Sequence, residues 1–320
     1  MSAWLRRGDT APVYDPAFGD RALAEARQDL LLGRWEGARD LLARDPGGWD
    51  RRAHRIRLLA DAAAGRQTAD VWQASDPGNP DAAVLRAETE VMRMFAAART
   101  GQSCDVERLE RAAGFCRRAS EIAPADPYPW VSLLALGRLY PDGHAQMNEW
   151  WQEILRRDPC HREGHHQALR YLSARWHGSY GTALNFAWDA ASYAPQGSPL
   201  AILPQVARAE QYRHRVAAEG RASIRLTRHW NDDGACRDLR DALDRWIAHR
   251  VPAAQDVADL NHLAHGLVQA GMGDQAGPIF RLLDNRATEV PWSYTGHREQ
   301  LYIRWRNRTL PHQHPPMPTA

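Results

Sequence analysis

Closely spaced histidines are the side chains here that most resemble metal ligands. They fall into two groups, Cys160, His161, His165 and His166, and then His262 and His265. Two histidines on one helix face can hold a transition metal, but no H-E-x-x-H is present, and Glu163 lies two residues from both His161 and His165, on another face. A complete site would need ligands from other helices. We therefore expect capping, packing and surface roles and no metal, with metal binding as the alternative.

Arginine is dense in three segments, Arg51–Arg57, Arg221–Arg228 and Arg298–Arg308. In the last of these, Tyr302 and Trp305 are interleaved with the arginines, which suits phosphate contact and base stacking. Against this, 39 acidic residues are spread over the same chain, and arginine stems also cover apolar helix faces. We expect solvated, salt-bridged faces, and keep nucleic-acid binding through the C-terminal segment as the alternative function.

The basic residues exclude several enzyme classes. The chain has no lysine, so all 41 basic residues are arginine. Pyridoxal enzymes, P-loop NTPases and ordinary protein kinases each need a lysine at the reacting group. Side-chain chemistry therefore excludes those enzyme classes, whatever the reason that the chain uses arginine in place of lysine.

No motif for nucleophilic or cofactor chemistry stands out. A G-x-S-x-G elbow is absent, and Ser179 precedes a predicted helix, where it suits an N-cap. The glycines of Gly271–Gly277 follow a helical segment rather than the strand that a dinucleotide loop requires, so we interpret them as a turn. We predict a protein that is not an enzyme and has no cofactor.

From composition and the opening residues we expect a cytoplasmic protein. Of its 320 residues, 44% are hydrophobic, the net charge is +2, and no apolar run approaches the roughly 20 residues of a membrane span. The first ten residues lack the apolar stretch of a secretory signal. The four cysteines form no C-x-x-C pair, and we expect Cys116 to be a small core residue.

Apolar residues recur three and four apart along most of the chain, which predicts amphipathic helices. The helices come in pairs: Arg21–Gly33 with Trp35–Arg44, Asp81–Arg99 with Asp105–Ile122, Tyr128–Tyr140 with His144–Arg157, Arg162–Trp176 with Tyr180–Tyr193, and Val257–Ala270 with Asp274–Asn285. Such pairing predicts that each helix buries its apolar stripe against its neighbours.

A signature recurs in the second helix of these pairs, with residues spaced four and three apart and then proline. It reads Ala112, Cys116, Ala119, Pro124; then Met147, Trp151, Ile154, Pro159; then Ala183, Ala187, Ala190, Pro195. Its first members lie 35 and 36 residues apart, and Ala242 and Ala276 repeat at 34. The interval from Ala183 to Ala242 is longer than one repeat, which predicts an irregular insertion near residues 216–232.

These features resemble the tetratricopeptide repeat. The last helix pair shows the resemblance best: its first-helix core positions hold Leu260, Leu263, Ala264 and Leu267, its turn holds Gly271, and its second-helix core holds Ala276 and Phe280. The opening of a repeat is resembled by Trp130 and Leu133. The turn of a first repeat is resembled by Gly33-Arg-Trp35-Glu-Gly-Ala38. Gly137 stands where a tyrosine is usual. The segment Arg286–Tyr294 also resembles functionally uncharacterised bacterial helical-repeat proteins.

The predicted architecture is all-α, a right-handed α–α superhelix of about six to seven helix pairs. Residues 20–307 are expected to form the repeat domain, between an N-terminal segment (1–19) and a disordered tail (308–320).

The concave surface is expected to bind a protein or peptide segment, with arginines favouring acidic ligands. From helical phase the binding residues are predicted to be Tyr128, Arg138, His165, Arg175, Trp176, Asn261 and His265. Four other tryptophans, Trp130, Trp151, Trp188 and Trp246, are expected to be packing residues, whereas Trp230, Trp292 and Trp305 are expected, like Trp176, to anchor a partner.

Overall fold

The computed structural model describes residues 11–44, 48–102, 104–223, 226 and 228–310. Throughout this described part the chain is helical and has no β-strand, which confirms the all-α class. The chain divides into two compact units. The N-terminal unit is Ala17–Ala194 with Pro252–Gln255, and the C-terminal unit comprises the described parts of residues 1–16, 195–251 and 256–320.

Ten helices build the N-terminal unit: α1 (Arg21–Leu31), α2 (Glu36–Leu42), α3 (Trp49–Ala63), α4 (Thr68–Ser75), α5 (Pro80–Arg99), α6 (Val106–Ile122), α7 (Tyr128–Gly137), α8 (Met147–Arg157), α9 (Arg162–Tyr171) and α10 (Tyr180–Tyr193). Each odd-numbered helix packs against its successor. The odd-numbered helices also pack on one another in order, and we call them the first-helix row. Because α9 touches α3 as well as α7, the row turns back toward its beginning.

The helix starts follow from local sequence. Asn79 accepts hydrogen bonds from the backbone N–H groups of Asp81 and Ala82, and Pro80 occupies the first turn of α5, where no N–H is needed. The side chain of Ser179 accepts a hydrogen bond from the Thr182 N–H, 3.1 Å away, so its predicted role as an N-cap is confirmed.

The repeat signature marks the packed face of the second helices. Ala112, Cys116 and Ala119 of α6 are buried, which confirms the core role of Cys116. Gly137 lies where α7 and α8 approach closely. A Cβ at that position would meet the Met147 sulfur, so a larger residue would have to displace the Met147 side chain.

The C-terminal unit contains α11 (Leu203–Glu219), α12 (Asp233–Arg245), α13 (Asp256–Gln269), α14 (Gly273–Leu283), α15 (Trp292–Thr295) and α16 (Arg298–Thr309). The pair α13–α14 forms as predicted, and Gly271 turns between them at φ +78°. Helix α16 continues to Thr309, into the segment predicted as tail. Residues 224, 225 and 227 of the predicted insertion, and the remaining tail with His312 and His314, lie outside the described residues.

An N-terminal stretch and one loop complete the C-terminal unit. The Val13 N–H donates to the Asn285 carbonyl, and the Ala287 N–H donates to the Val13 carbonyl. The following loop leads Trp292 into the core, where its side chain is fully buried. The prediction that Trp292 anchors a partner is therefore wrong, because that ring fills the unit's interior.

Candidate functional site

The first-helix row places polar and aromatic groups along one face of the N-terminal unit. On α9, Glu163, Gln167 and Arg170 are spaced four and three residues apart, which puts them on one helix face. On α5, Glu88 and Phe95 are seven apart and likewise share a face. The row therefore carries two neighbouring features: a charged network around Glu163 and Glu88, and a cation–aromatic cluster beyond them.

Glu163 is the centre of the charged network. Its carboxylate is almost fully buried and accepts from the Arg57 Nη1 at 2.6 Å and from the Gln167 Nε2 at 2.5 Å. The guanidinium groups of Arg162 and Arg170 lie 3.6 and 3.7 Å away. Burial opposes the charge, but the three arginines prevail and lower the pKa of Glu163 to about 2. Three guanidinium groups thus share one ionised carboxylate.

Glu88 shows the opposite behaviour. Its buried carboxylate accepts from the Ser132 hydroxyl at 2.6 Å and from the Tyr128 hydroxyl at 3.4 Å. No described arginine pairs with it directly. Desolvation raises its pKa to about 7, against the smaller opposing effects of Ser132 and Arg57. At neutral pH, Glu88 therefore adds only part of a negative charge to the network.

Arg57 is the most exposed arginine of this network. Its side chain remains 41% exposed, although its Glu163 partner is 2% exposed. Surrounding protein also desolvates the guanidinium, while Glu163 acts more strongly and raises the pKa of Arg57. Arg57 therefore combines a strong buried partner with a side chain that still reaches water.

The cation–aromatic cluster lies at the C-terminal ends of α5, α7 and α9. The Arg138 guanidinium carbon is 4.7 Å from the Phe95 ring centroid and 5.3 Å from that of Trp176. Arg175 approaches the Trp176 ring at 5.4 Å, and the two aromatic rings meet edge to face. His177 Nε2 donates to the Arg138 carbonyl at 3.1 Å, tying the segment after α9 to the end of α7.

This cluster brings together three of the residues predicted from sequence, Arg138, Arg175 and Trp176. Arg175 is exposed and has no ion-pair partner among the described residues, whereas Arg138 and Trp176 are half-buried. Cation–π contact holds the arginine heads beside the aromatic rings while they still face water. The cluster can therefore offer both charge and apolar area to a ligand.

Tyr128 and His165 occupy different surroundings, inside the unit. The Tyr128 hydroxyl reaches Glu88, and desolvation raises the pKa of that phenol. His165 Nδ1 donates to the His161 carbonyl at 2.9 Å, and its ring meets Trp151 edge to face. Both side chains are at most 4% exposed, so neither reaches a partner at this surface.

Asn261 and His265 lie in the core of the C-terminal unit. Asn261 Oδ1 accepts from the indole N–H of Trp292 at 2.8 Å, and His265 Nε2 contacts the Thr295 hydroxyl at 3.0 Å. Burial lowers the pKa of His265 to about 3, so the ring is neutral. Neither side chain is exposed, and each completes local packing.

Sequence reasoning missed Arg57, Glu88, Phe95 and Glu163. A signal was present for two of them, because Glu88 and Phe95 share the face of a predicted first helix. No sequence pattern indicated that Arg57 pairs with Glu163, because the two residues are 106 apart in sequence. It depends on the contact between α3 and α9.

The histidines that resembled metal ligands have local roles where the structure describes them. His161 Nδ1 accepts from the Gly164 N–H at 3.0 Å and caps α9, as the capping interpretation predicts. Burial lowers the pKa of His161 to about 4, which keeps the ring neutral and able to accept. Within the described ranges, no three His, Cys, Asp or Glu side chains are grouped as metal ligands.

A second cation–aromatic group lies on α16 of the C-terminal unit. The guanidinium carbons of Arg304 and Arg308 lie 5.6 and 5.4 Å from the Trp305 ring centroid. Both arginines are exposed, and neither pairs with a carboxylate in the part of the chain described. The Tyr302 ring, by contrast, is buried against Phe280.

Comparison with known proteins gives no relative to guide assignment. No protein-family model matches the chain, and no curated protein matches it significantly. Among the helices described, none is long and apolar enough to cross a membrane. The candidate function therefore has to be argued from the site alone.

Proposed function

We propose that the protein is a non-catalytic binding module, a tetratricopeptide-like superhelix that holds an acidic protein or peptide segment on its first-helix row. The observation that carries this proposal is the cluster of Phe95, Arg138, Arg175 and Trp176. It combines an exposed, unpaired arginine with aromatic area at the ends of three successive first helices. Paired helices and the regular contacts along the row support the repeat architecture.

The chemistry of the cluster selects an acidic partner. Arginine forms two parallel hydrogen bonds to a carboxylate, and an aromatic platform restricts its motion before binding. Aromatic and arginine side chains also dominate the energetics of protein interfaces. A segment carrying Asp or Glu beside an apolar residue would use both Arg175 and the Trp176 ring. The tetratricopeptide subclass that clamps a terminal carboxylate relies partly on lysines, so we do not extend the proposal to that mode.

Capture experiments test this function. Tagged wild-type protein and the variant with Arg138→Ala and Arg175→Ala are each used to capture proteins from native lysate, which are identified by mass spectrometry. Arg111→Ala is a matched control, because Arg111 is exposed on α6 and pairs only with Glu107 in the described structure. We expect acidic proteins that are captured by the wild type and the control to be lost with the double variant. Identical captured sets would contradict the proposal.

A direct measurement complements the capture. Fluorescence anisotropy with labelled hexaglutamate and hexalysine peptides compares ligand charge at equal length. We expect hexaglutamate alone to bind, and the double variant to bind it about tenfold more weakly, since a lost charged hydrogen bond costs roughly 1.5–3 kcal/mol. Equal binding of both peptides would show that acidity does not determine recognition.

The Arg304, Trp305 and Arg308 group favours a second candidate, binding of single-stranded nucleic acid by the C-terminal unit. Two cations beside a partly exposed indole match the requirements for phosphate contact and base stacking. A salt titration with a fluorescent oligothymidine distinguishes this function from peptide binding, because released counterions make the affinity fall steeply with salt. Arg304→Ala with Arg308→Ala should reduce that slope; binding without a slope would reject this candidate.

A further inference from the structure

Residues 11–14 lie alongside the loop that follows α14 in the C-terminal unit. The Val13 N–H donates to the Asn285 carbonyl at 2.8 Å, and the Ala287 N–H donates to the Val13 carbonyl at 2.9 Å. These two bonds make a parallel β-bridge. We call residues 11–14 the strap and the backbone of residues 285–287 the receiving edge.

Side chains of the strap alternate between protein and solvent, as expected of an extended segment. Pro12 is buried, and Val13 is 50% exposed. The Tyr14 ring lies beneath the guanidinium of Arg298, whose carbon is 4.9 Å from the ring centroid. Backbone hydrogen bonds thus set the register, and alternate side chains meet the protein. This is the way in which an extended peptide is added to an exposed strand edge.

The receiving edge is held in place by helices rather than by the strap. The Arg286 carbonyl accepts hydrogen bonds from the Tyr302 hydroxyl at 3.2 Å and from the Asn261 side-chain amide at 3.4 Å. The Arg306 guanidinium donates to the Asn285 side-chain oxygen. These donors belong to α13 and α16, so the support of the edge does not depend on the strap. If the strap leaves, two backbone groups of the edge lose their partners, and such groups pair readily with another extended chain.

The strap itself fits this edge imperfectly. The Tyr14 hydroxyl is buried and has no hydrogen-bond partner among the described residues. Burial raises the pKa of this phenol, against a smaller opposing effect of Arg298. A hydroxyl that gives up water without gaining a partner weakens the association that buries it. Phenylalanine would occupy the same place without that penalty.

We propose that the receiving edge is a docking site for an extended segment of another protein, with the pattern Pro-x-Phe, and that the strap occupies this site when the partner is absent. The proline of the partner takes the buried place of Pro12, the middle residue faces water as Val13 does, and the phenylalanine lies beneath Arg298. A second copy of this chain would bring the same Tyr14, so the unpartnered hydroxyl favours a different protein. The site uses no residue of the Arg138–Arg175–Trp176 cluster and does not depend on the proposed peptide-binding function.

Displacement of the strap can be measured on the whole chain with a fluorescent peptide of residues 11–16 that carries Tyr14→Phe. In the protein, Val13→Pro removes the N–H that bonds to the Asn285 carbonyl and so weakens the strap. We expect this variant to bind the peptide at least about tenfold more tightly than the wild type does, because its edge is free more often. Val13→Thr is the matched control, since it keeps the N–H and the β-branched shape, and it should bind as the wild type does.

Two further measurements keep the proposal testable if Val13→Pro disturbs folding. A peptide that carries Val13→Pro in addition to Tyr14→Phe should bind the wild-type protein at least about tenfold more weakly than the first peptide. In the protein, Tyr14→Phe should raise the melting temperature by about 2–4 °C and weaken binding of the added peptide, because the strap then fits its edge better. A lowered melting temperature would contradict the preference for phenylalanine.

The outcomes separate the partner from its alternatives. Tighter peptide binding by Val13→Pro than by the wild type and Val13→Thr supports the site. Equal affinity of all three proteins, or no saturable binding by any of them, overturns it. Concentration-dependent dimers of the wild type in sedimentation, absent from Val13→Pro, would show that the edge takes the strap of a second copy, and would overturn the assignment to another protein.

Discussion

Arg52 and Arg57 project from the same helix, α3, and both form ion pairs with acids from other parts of the N-terminal unit. Arg52 meets Asp81 and Asp126, each at 2.7 Å, and is 6% exposed. Arg57 meets Glu163 at 2.6 Å and is 41% exposed. Five residues of sequence thus separate an enclosed cation from an accessible one.

The two arginines differ in their exposure and in the number of acids that each one meets. Two acids surround Arg52, so its charge is fully compensated inside the protein. Arg57 meets one acid, Glu163, and two further arginines, Arg162 and Arg170, approach the same carboxylate. Removing one partner of an enclosed ion pair leaves the other charge buried and is costly, whereas an accessible arginine keeps contact with water.

The largest effect should come from removing the enclosed cation. Arg52→Met leaves the Asp126 carboxylate buried without its partner, and we expect the free energy of unfolding to fall by about 3–5 kcal/mol. Arg57→Met should cost less, about 1–2 kcal/mol, because Glu163 keeps Gln167 and two arginines. Urea denaturation followed by circular dichroism measures both. Equal losses in the free energy of unfolding would show that the two arginines contribute equally to stability.

The next effect is a pH dependence set by Glu88. Its folded pKa, about 7, lies above the ordinary value of 4.5, so the folded protein holds this proton more tightly than the unfolded chain does. The resulting stabilisation is complete below about pH 4.5 and is lost as the pH rises through 7. We expect the wild type to lose on the order of 2–3 kcal/mol relative to Glu88→Gln between pH 5 and 8.

Denaturation of both proteins across that pH range checks this slope. Glu107→Gln is the control, because Glu107 is exposed and forms only a surface pair with Arg111. Glu163 should act in the opposite sense at lower pH, since its folded pKa of about 2 gives stability that is lost as the pH falls below 4.5. Parallel curves for the wild type and Glu88→Gln would contradict the assignment.

The same two arginines show how far sequence reasoning extends. Apolar spacing predicted the helix pairs, the core position of Cys116 and the cap at Ser179, because these depend on residues within a helix or its neighbour. Both Arg52 and Arg57 fell in one arginine-rich segment that was expected to be salt-bridged. The sequence alone did not distinguish them, because their partners come from distant helices.

Of the predicted binding residues, some lie together at the surface and others are buried by residues from distant parts of the chain. Arg138, Arg175 and Trp176 were predicted from helical phase, and they lie together because each is at or near the end of a first helix. Tyr128 has the same phase but is covered, since it meets Glu88 of the neighbouring helix. Asn261 is covered by Trp292, which a loop delivers to the core. Helical phase reports which face a residue occupies, and tertiary packing decides whether that face is open.

The smallest effect on stability should come from Arg175, and that is what makes it informative. Its side chain is exposed, and its one polar or ring interaction among the described residues is with the Trp176 ring, so Arg175→Ala should change the free energy of unfolding by less than about 0.5–1 kcal/mol. The same variant should bind hexaglutamate several-fold more weakly than the wild type. Arg52→Met should show the opposite pattern: a large loss of stability, but unchanged peptide affinity for the molecules that remain folded. If Arg175→Ala destabilised the protein as much as Arg52→Met, its contact with Trp176 would be structural, and exposure would no longer distinguish the cations that bind from those that hold the fold.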